Sequence, residues 1–281
     1  MENRKIIENV LACPVCKGSL FLTDDQKSAY CSGERRHLFD FASAGYLNLY
    51  ASRASGGDGG ECVGARTAFL SKGYYEKISD EVNALLDKYT SDGANVLDAG
   101  CGEGYYTNRM AKGKERFVFG FDLAKPAINT AAKSAKRDGD GNAFFGVASA
   151  YALPVLSGSM DAVTTIFAPC AEEEYARVLR EGGILLLVGA AEEHLIDLKR
   201  AVYDDVYKNE GRRDLPADKF ELLEERRLTY TIDLETSEDI QNLFAMTPYY
   251  YHTSAKDKAK LANLSSLCTK VDVELFIYKK I

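Results

Sequence analysis

The chain lacks any apolar run long enough to cross a bilayer: the longest in its 281 residues, at 184–191, is far short of the roughly 20 residues a spanning helix requires. It also lacks the apolar core of a secretion signal, since Met1-Glu2-Asn3-Arg4-Lys5 leads into nothing of the kind. These two absences argue against a membrane protein and set the expectation of a cytoplasmic one. Without a secretion signal, seven cysteines, an odd number, point to thiols and metal ligands and not to a disulfide framework. Excess basic charge is lacking as well. Asp and Glu number 42 against 35 Lys and Arg, a net charge of −7, which excludes a protein that coats nucleic acid by bulk attraction. The deficit is uneven: residues 1–53 hold seven Lys/Arg and six Asp/Glu, so the remainder carries −8 and any polyanion belongs near the N-terminal end. What is present fits no disorder class. At 46% hydrophobic, the chain can bury a full core, enough for one large domain with a smaller appendage.

The most informative stretch is Val96-Leu97-Asp98-Ala99-Gly100-Cys101-Gly102-Glu103-Gly104-Tyr105, where a short apolar run meets glycines at every second place and then a helical pattern. This reads as a strand, a tight nucleotide-binding turn and a helix. Glycine adopts left-handed dihedrals and lets a ligand touch the main chain, and the helix start offers unpaired N–H groups. A dinucleotide fingerprint wants G-x-G-x-x-G, whereas Gly100, Gly102 and Gly104 form G-x-G-x-G, which resembles the form in S-adenosylmethionine-dependent methyltransferases. Phe117-Val118-Phe119-Gly120-Phe121-Asp122 then reads as a second strand ending in an acid, and an acid there can accept from both ribose hydroxyls.

From Asn95 onward strands are expected at 95–99, 117–121, 143–148, 161–167 and 184–190, with helices from 104 and over 127–136. The alternation implies an α/β fold, a Rossmann-like doubly wound and mainly parallel sheet of the class I methyltransferase kind, with ligands outside the carboxyl ends of the strands. Glu181-Gly182-Gly183 after Arg180 reads as a turn feeding the fifth strand, 192–208 as a long helical stretch, and 228–234 and 271–278 as strands pairing at an antiparallel end of the sheet. Helical spacing at 65–70 and 78–86, separated by Gly73-Tyr74-Tyr75, predicts two helices capping the cofactor domain.

Two loops can be read chemically. Ala148-Ser149-Ala150 ends the third strand, where Ser149 can meet an adenine ring without steric cost. Phe167-Ala168-Pro169-Cys170 ends the fourth, where methyltransferases of this class hold their target; Pro169 stiffens the turn and Phe167 offers a stacking face, though core packing explains Phe167 equally well. Cys170 raises a cytosine-C5 methyltransferase as an alternative, since such an enzyme adds a thiolate to the pyrimidine ring. The adjoining Glu172, Glu173 and Glu174 would raise that thiol's pKa, which favours a substrate-shaping or structural cysteine. The same acids stand where a proton acceptor could be, but read first as a solvated acidic helix start.

Cys13-Pro14-Val15-Cys16, Cys31 and His37 follow the spacing of a zinc knuckle. Soft thiolates plus one imidazole favour Zn(II), and four protein ligands leave no open position, so one structural ion is expected. A redox Cys-x-x-Cys is the competing reading, disfavoured because so little apolar sequence surrounds these residues that the module could not fold unaided. Residues 52–60, rich in Gly and Ser, read as a linker or mobile lid. The expected division is 1–50 as a zinc-binding RNA-recognition module, 51–94 as a flexible loop with capping helices, and 95–281 as the methyltransferase domain.

In order along nearly the whole chain, Cys13-Pro-x-Cys16, Cys31 and His37, Gly45-Tyr46-x-Asn48-Leu49, Ala65-Arg66-x-Ala68-Phe69-Leu70, Leu97-Asp98-x-Gly100-Cys101-Gly102-Glu103-Gly104-Tyr105-Tyr106-Thr107, Ala168-Pro169-Cys170 and Met246-Thr247-Pro248 resemble a known family. It is that of the bacterial guanine-N1 methyltransferases of 23S ribosomal RNA, RlmA type. The resemblance implies zinc on Cys13, Cys16, Cys31 and His37, and S-adenosylmethionine contacts from Tyr75, Tyr106, Thr107 and His194 besides the glycine loop and Asp122. It implies methylation of a guanine in the hairpin 35 region, with the choice between a 745-type and a 748-type position open, and a homodimer whose zinc modules help form an RNA cleft. Read without it, Tyr75 is a core residue and His194 a surface histidine at a helix start. Two further readings compete. A small-molecule methyltransferase would have no need of a zinc arm, and a non-catalytic ribosome-binding factor would have no need of intact Asp98, Gly100, Gly102 and Asp122.

Overall fold

The computed structural model describes residues 2–50, 57–112, 115–138, 142–209 and 215–281. The 51–56 part of the glycine-rich stretch, expected to be a linker or lid, lies outside the described residues. In chain order the elements are α1 (Glu2–Val10), β1 (Leu20–Leu22), β2 (Ser28–Cys31), β3 (Leu38–Asp40), β4 (Leu47–Asn48), α2 (Gly60–Ser71), α3 (Glu76–Tyr89), β5 (Asn95–Ala99), α4 (Tyr105–Ala111) and β6 (Phe117–Asp122). They continue with α5 (Lys125–Asp138), β7 (Ala143–Val147), β8 (Met160–Ile166), α6 (Glu172–Val178), β9 (Leu179–Ala190), α7 (Ile196–Val202), β10 (Phe220–Leu234), α8 (Ser237–Ala245), a 3-10 turn (Tyr250–His252), α9 (Ala255–Ala262) and β11 (Leu267–Lys280).

The large sheet has eight strands in the order β10-β11-β9-β8-β5-β6-β7-β4. From β9 to β4 neighbours run parallel, and β11 is antiparallel to both β9 and β10. The order reverses at β5, with β6 on one side and β8 on the other, so the crevice beyond the carboxyl ends of these strands is where a ligand belongs. This is the doubly wound α/β architecture expected, with its antiparallel end.

Alternation along the strands divides the core. Val96, Val118, Ala162, Leu186 and Val188 share one cluster with Ile78, Val82, Leu85 and Leu86, the apolar stripe of α3. Leu97, Phe119, Phe121, Val163 and Leu187 point the other way and join Tyr175 and Val178 of α6 together with Val10, Leu11, Leu20 and Leu22 of the first fifty residues. The small sheet β1-β2-β3 therefore shares a core with the large one. The continuity is reinforced by Leu47 and Asn48, which pair with Gly146 and Val147 as an edge strand, and by the Leu11–Val155 bridge.

Two expectations need correction. The stretch 192–208 is not one long helix: only α7 is helical, because Leu195 adopts φ +55° while its N–H donates to Lys270 O. Asn209 then closes the segment on itself, its N–H donating to Glu192 O and its side chain to Ala191 O. The expected turn at Arg180–Gly183 is instead an irregularity within β9, which starts at Leu179, with the register on β8 shifting between Met160 and Ala162. Gly182 supplies the positive φ there, +70°.

Candidate active site and metal centre

The four metal candidates converge on the small sheet. One ligand atom from each of Cys13, Cys16, Cys31 and His37 falls within 4.8 Å of the others. His37 Nδ1 lies 3.6 Å from Cys13 Sγ and 3.3 Å from Cys31 Sγ, close to the edge of a tetrahedron with zinc at its centre, about 3.5–3.8 Å for Zn–S and Zn–N bonds of ordinary length. The surroundings suit thiolate. The His37 backbone N–H donates to Cys31 Sγ at 3.2 Å. Against the burial that would raise it, backbone N–H groups of His37 and Gly33 bring the Cys31 thiol down to about 6, whereas burial pushes Cys13 up. A side chain at position 33 would put its Cβ 2.9 Å from Cys16 Sγ, so glycine there leaves room for the sulfur. Donor set and spacing both fit one structural Zn(II).

The crevice is built mainly by backbone. Gly100 has φ +81°, and a Cβ on it would lie 2.5 Å from the Ala168 Cβ in the loop after β8. The absence of a side chain at Gly100 thus lets the Ala168 methyl group of the loop after β8 pack directly against the glycine loop. Gly104, φ +81°, starts α4 with no side-chain cap, so the first N–H groups of the helix are not taken by a capping side chain. Asp122 at the end of β6 accepts from the Gly102 N–H at 3.0 Å and the Ala124 N–H at 2.7 Å, which orients the carboxylate and leaves lone pairs for hydroxyls. The Tyr106 hydroxyl is buried without a hydrogen-bond partner among the described residues. An orphaned phenol beside a glycine cradle and an oriented carboxylate fits a nucleoside cofactor such as S-adenosylmethionine.

Other candidates are placed differently. Asp98 is buried and accepts from the Thr107 hydroxyl at 2.5 Å and the Thr164 hydroxyl at 3.0 Å; burial prevails over these donors and raises its carboxyl to about 6. Thr107 is itself fully buried, so its side chain braces Asp98 beneath the loop. Ser149 Oγ accepts from the Tyr151 N–H at 3.2 Å, an engagement within its own turn. Phe167 is 41% exposed at φ +53°, an uncommon conformation for an aromatic residue, directly after β8. Its ring stacks on His194 at 5.4 Å and lies 6.0 Å from Tyr75. The Pro169 carbonyl accepts from the Tyr175 hydroxyl, which pins the loop, and Cys170 is exposed beyond it. Of the three acids in the first turn of α6, Glu174 is held by Arg177 and the Leu153 N–H, and Glu173 pairs with Lys219.

Tyr75 and His194, remote in sequence, meet in the interior. His194 Nδ1 accepts from the Asp272 N–H at 3.3 Å, which places the proton of the neutral ring on Nε2, 3.3 Å from the Tyr75 hydroxyl. Burial lowers the imidazole to about 4 in spite of the nearby Asp272 carboxylate. Arg227 grips that carboxylate with two N–H groups at 2.8 and 2.7 Å and holds its pKa at about 2.

Sequence reasoning missed several of these partners. Arg66 of α2 lies across the glycine loop, its Nη2 3.3 Å from an ideal Gly102 Cβ, pairing through Nε with buried Glu103 and through Nη1 with Asp58 at 2.7 Å. No spacing rule connects residues 37 apart. Asp272 was detectable in principle, as an acid in the apolar run Val271-Asp272-Val273.

Comparison with known proteins agrees with this geometry. Residues 96–183 match the family described as a methyltransferase domain, and residues 11–51 match the one described as RlmA, N-terminal. A 23S rRNA (guanine(748)-N(1))-methyltransferase of Streptomyces fradiae is 30% identical over 268 residues, covering 92% of this chain and 91% of that one. A Bacillus subtilis protein provisionally named 23S rRNA (guanine-N(1)-)-methyltransferase YxjB is 27% identical over 288 residues, covering 99% of each.

Proposed function

The chain belongs to the 23S rRNA (guanine-N1)-methyltransferase family, and from that premise we propose that it transfers a methyl group from S-adenosylmethionine to N1 of a guanine in 23S ribosomal RNA. The observation that carries the reading is one chain holding both a clustered Cys3His set and a glycine crevice closed by Asp122. The cofactor, when bound, supplies an electrophilic methyl group that a ring nitrogen can take by in-line displacement. The protein's part is then positioning and exclusion of water.

In this reading Asp122 takes the ribose hydroxyls, the Gly100–Gly104 loop lies against the methionine portion, and the Tyr106 hydroxyl gains the partner it lacks. Tyr75, held by His194, faces the same crevice, while Asp98 and Thr107 support the loop from below. Phe167 and Pro169 form the acceptor side, with Phe167 as the stacking face. N1 of guanine lies on the pairing edge, so the base must be unpaired or extruded to reach it. Glu173 and Glu174 are engaged elsewhere, so loss of the N1 proton falls to water or to Glu172. Residues 1–50 would grip RNA, 51–94 cap the crevice and 95–281 carry the transfer, in a cytoplasmic homodimer. Among the described residues no helix is long and apolar enough to cross a membrane.

The test is methyl transfer from labelled cofactor to 23S rRNA isolated from cells lacking the protein, followed by nucleoside identification. Labelled 1-methylguanosine is the expected product. Labelled 5-methylcytidine would make Cys170 a nucleophile instead, and absence of label from any RNA would contradict the proposal.

A further inference from the structure

We propose that Tyr250 and Tyr251 of the 3-10 turn, with Lys256 and Lys258 of α9, form a stacking platform for unpaired nucleotides of the RNA substrate, separate from the zinc module. The inference rests on the reading of the chain as an rRNA methyltransferase and adds a second RNA-contacting surface to it.

The platform starts with the sequence Met246-Thr247-Pro248, which ends α8. Met246 is its C-cap, the Thr247 hydroxyl donates to Phe244 O at 2.6 Å, and Pro248 cannot continue a helix. The chain then turns tightly through three tyrosines with different fates. Tyr249 faces inward, packed on Phe244 and Tyr203 with a buried hydroxyl. Tyr250 leans edge-on against Phe244 at 5.5 Å, and Tyr251 stands nearly perpendicular to it at 5.4 Å and 79° with 59% of its surface exposed. Ser254 caps α9 by accepting from the Asp257 N–H at 3.1 Å, which fixes that helix beside the turn. Lys258 Nζ sits 3.8 Å above the Tyr250 ring.

Charge and location both select RNA as the occupant. In a chain of net charge −7, α9 carries Lys256, Lys258 and Lys260 against one Asp257. Lys260 is committed to Asp204 and Asp257, which leaves Lys256 exposed and Lys258 on the aromatic ring. With Lys258 lying over Tyr250, the exposed Tyr251 ring offers the stacking face and Tyr250 supports it; an aromatic face beside lysines is what a single strand requires, because every base has a π-face and every phosphate a charge. The Tyr250 hydroxyl donates to Glu61 at 3.3 Å, in the first turn of α2. From there Asp58, Arg66 and Glu103 lead to the glycine loop, so the platform stands at the rim of the methyl-transfer crevice.

The experiment uses the full-length zinc-loaded protein and a hairpin oligoribonucleotide carrying unpaired guanines from 23S rRNA, read by fluorescence anisotropy. Cofactor affinity and sedimentation are measured on the same samples. Tyr251→Ala is expected to weaken RNA binding about tenfold, and Tyr251→Phe, which keeps the ring, to stay within roughly twofold of wild type. Replacing Lys256 and Lys258 together by Ala is expected to lower the slope of log affinity against log salt by about 1.4. Cofactor affinity should be unchanged in all three variants. Wild-type RNA binding by Tyr251→Ala would overturn the assignment. So would loss of RNA binding that only follows dissociation of a dimer, which would make the surface an interface between copies. If the wild-type protein neither binds nor methylates the RNA, the underlying reading fails and the platform with it, an outcome distinct from the other two.

Discussion

The zinc centre and the glycine crevice are built in opposite ways. At the first, side chains create the site: four ligand atoms within 4.8 Å hold together three strands of three or four residues each. At the second, the main chain creates it, with glycines bringing two loops into contact above a deep double-sided core. A site made by side chains depends on the ion that unites them, whereas one made by backbone depends on atoms that are not there, the missing Cβ groups. The two are joined because Leu11, Leu20 and Leu22 of the small module cover the same sheet face as Phe119 and Phe121.

The largest effect should come from removing the metal. Structural zinc contributes on the order of 10 kcal/mol to small modules, so chelation or Cys31→Ser should release amide protection through residues 11–40. Cofactor affinity should survive, since none of the residues assigned to the crevice comes from residues 11–40. Hydrogen exchange alongside a cofactor titration separates the two, and retained protection after chelation would break the comparison.

Adding the missing Cβ comes next. In Gly100→Ala, contact with Ala168 at 2.5 Å and the left-handed φ act together, and cofactor affinity should fall about 100-fold or more. The counterpart Gly33→Ala, where Cys16 Sγ can shift slightly, should weaken zinc about tenfold and leave cofactor binding alone. Calorimetric titration of both ligands against both variants checks this crossed pattern; equal effects of both variants on both ligands would blur the distinction.

The third effect is pH-dependent. His194, lowered to about 4 from an ordinary 6.5, binds its proton more readily unfolded than folded. The stability it confers is therefore complete above the unfolded value and lost as pH falls from about 6.5 through 4, by up to about 3 kcal/mol. Asp98, raised to about 6, acts in the reverse sense, with stability falling as pH rises through about 4 to 6. The midpoint at pH 7.5 minus that at pH 4.5 should thus be lower in His194→Gln than in wild type, because the opposing Asp98 contribution is left uncompensated, and an unaltered difference would mean that the imidazole is not held neutral.

Much of this was legible in sequence because its causes are local. Glycines at 100, 102 and 104 answer to backbone geometry over five residues, and Cys-x-x-Cys to the reach of two sulfurs on one turn. The helix expected over 192–208 failed because its breaks are tertiary: Leu195 is turned by Lys270, and Asn209 returns to Glu192. Strand β4 was unreadable, since two residues carry no period. Tyr75 and His194 came only with the family likeness, and Arg66 with Glu103 not at all, because each pair closes across a distance that no pattern encodes. Phe167 was ambiguous between core and site by pattern alone, and its positive φ and partial exposure are tertiary features that no spacing encodes.

The most direct test of the central claim is primer extension across 23S rRNA incubated with the protein and S-adenosylmethionine, because a methyl group on N1 blocks Watson–Crick pairing. Methylation of guanine N1 gives a new stop one nucleotide before a single guanine, dependent on both protein and cofactor. Read-through along the whole RNA, in a reaction whose cofactor binding has been verified, would contradict it.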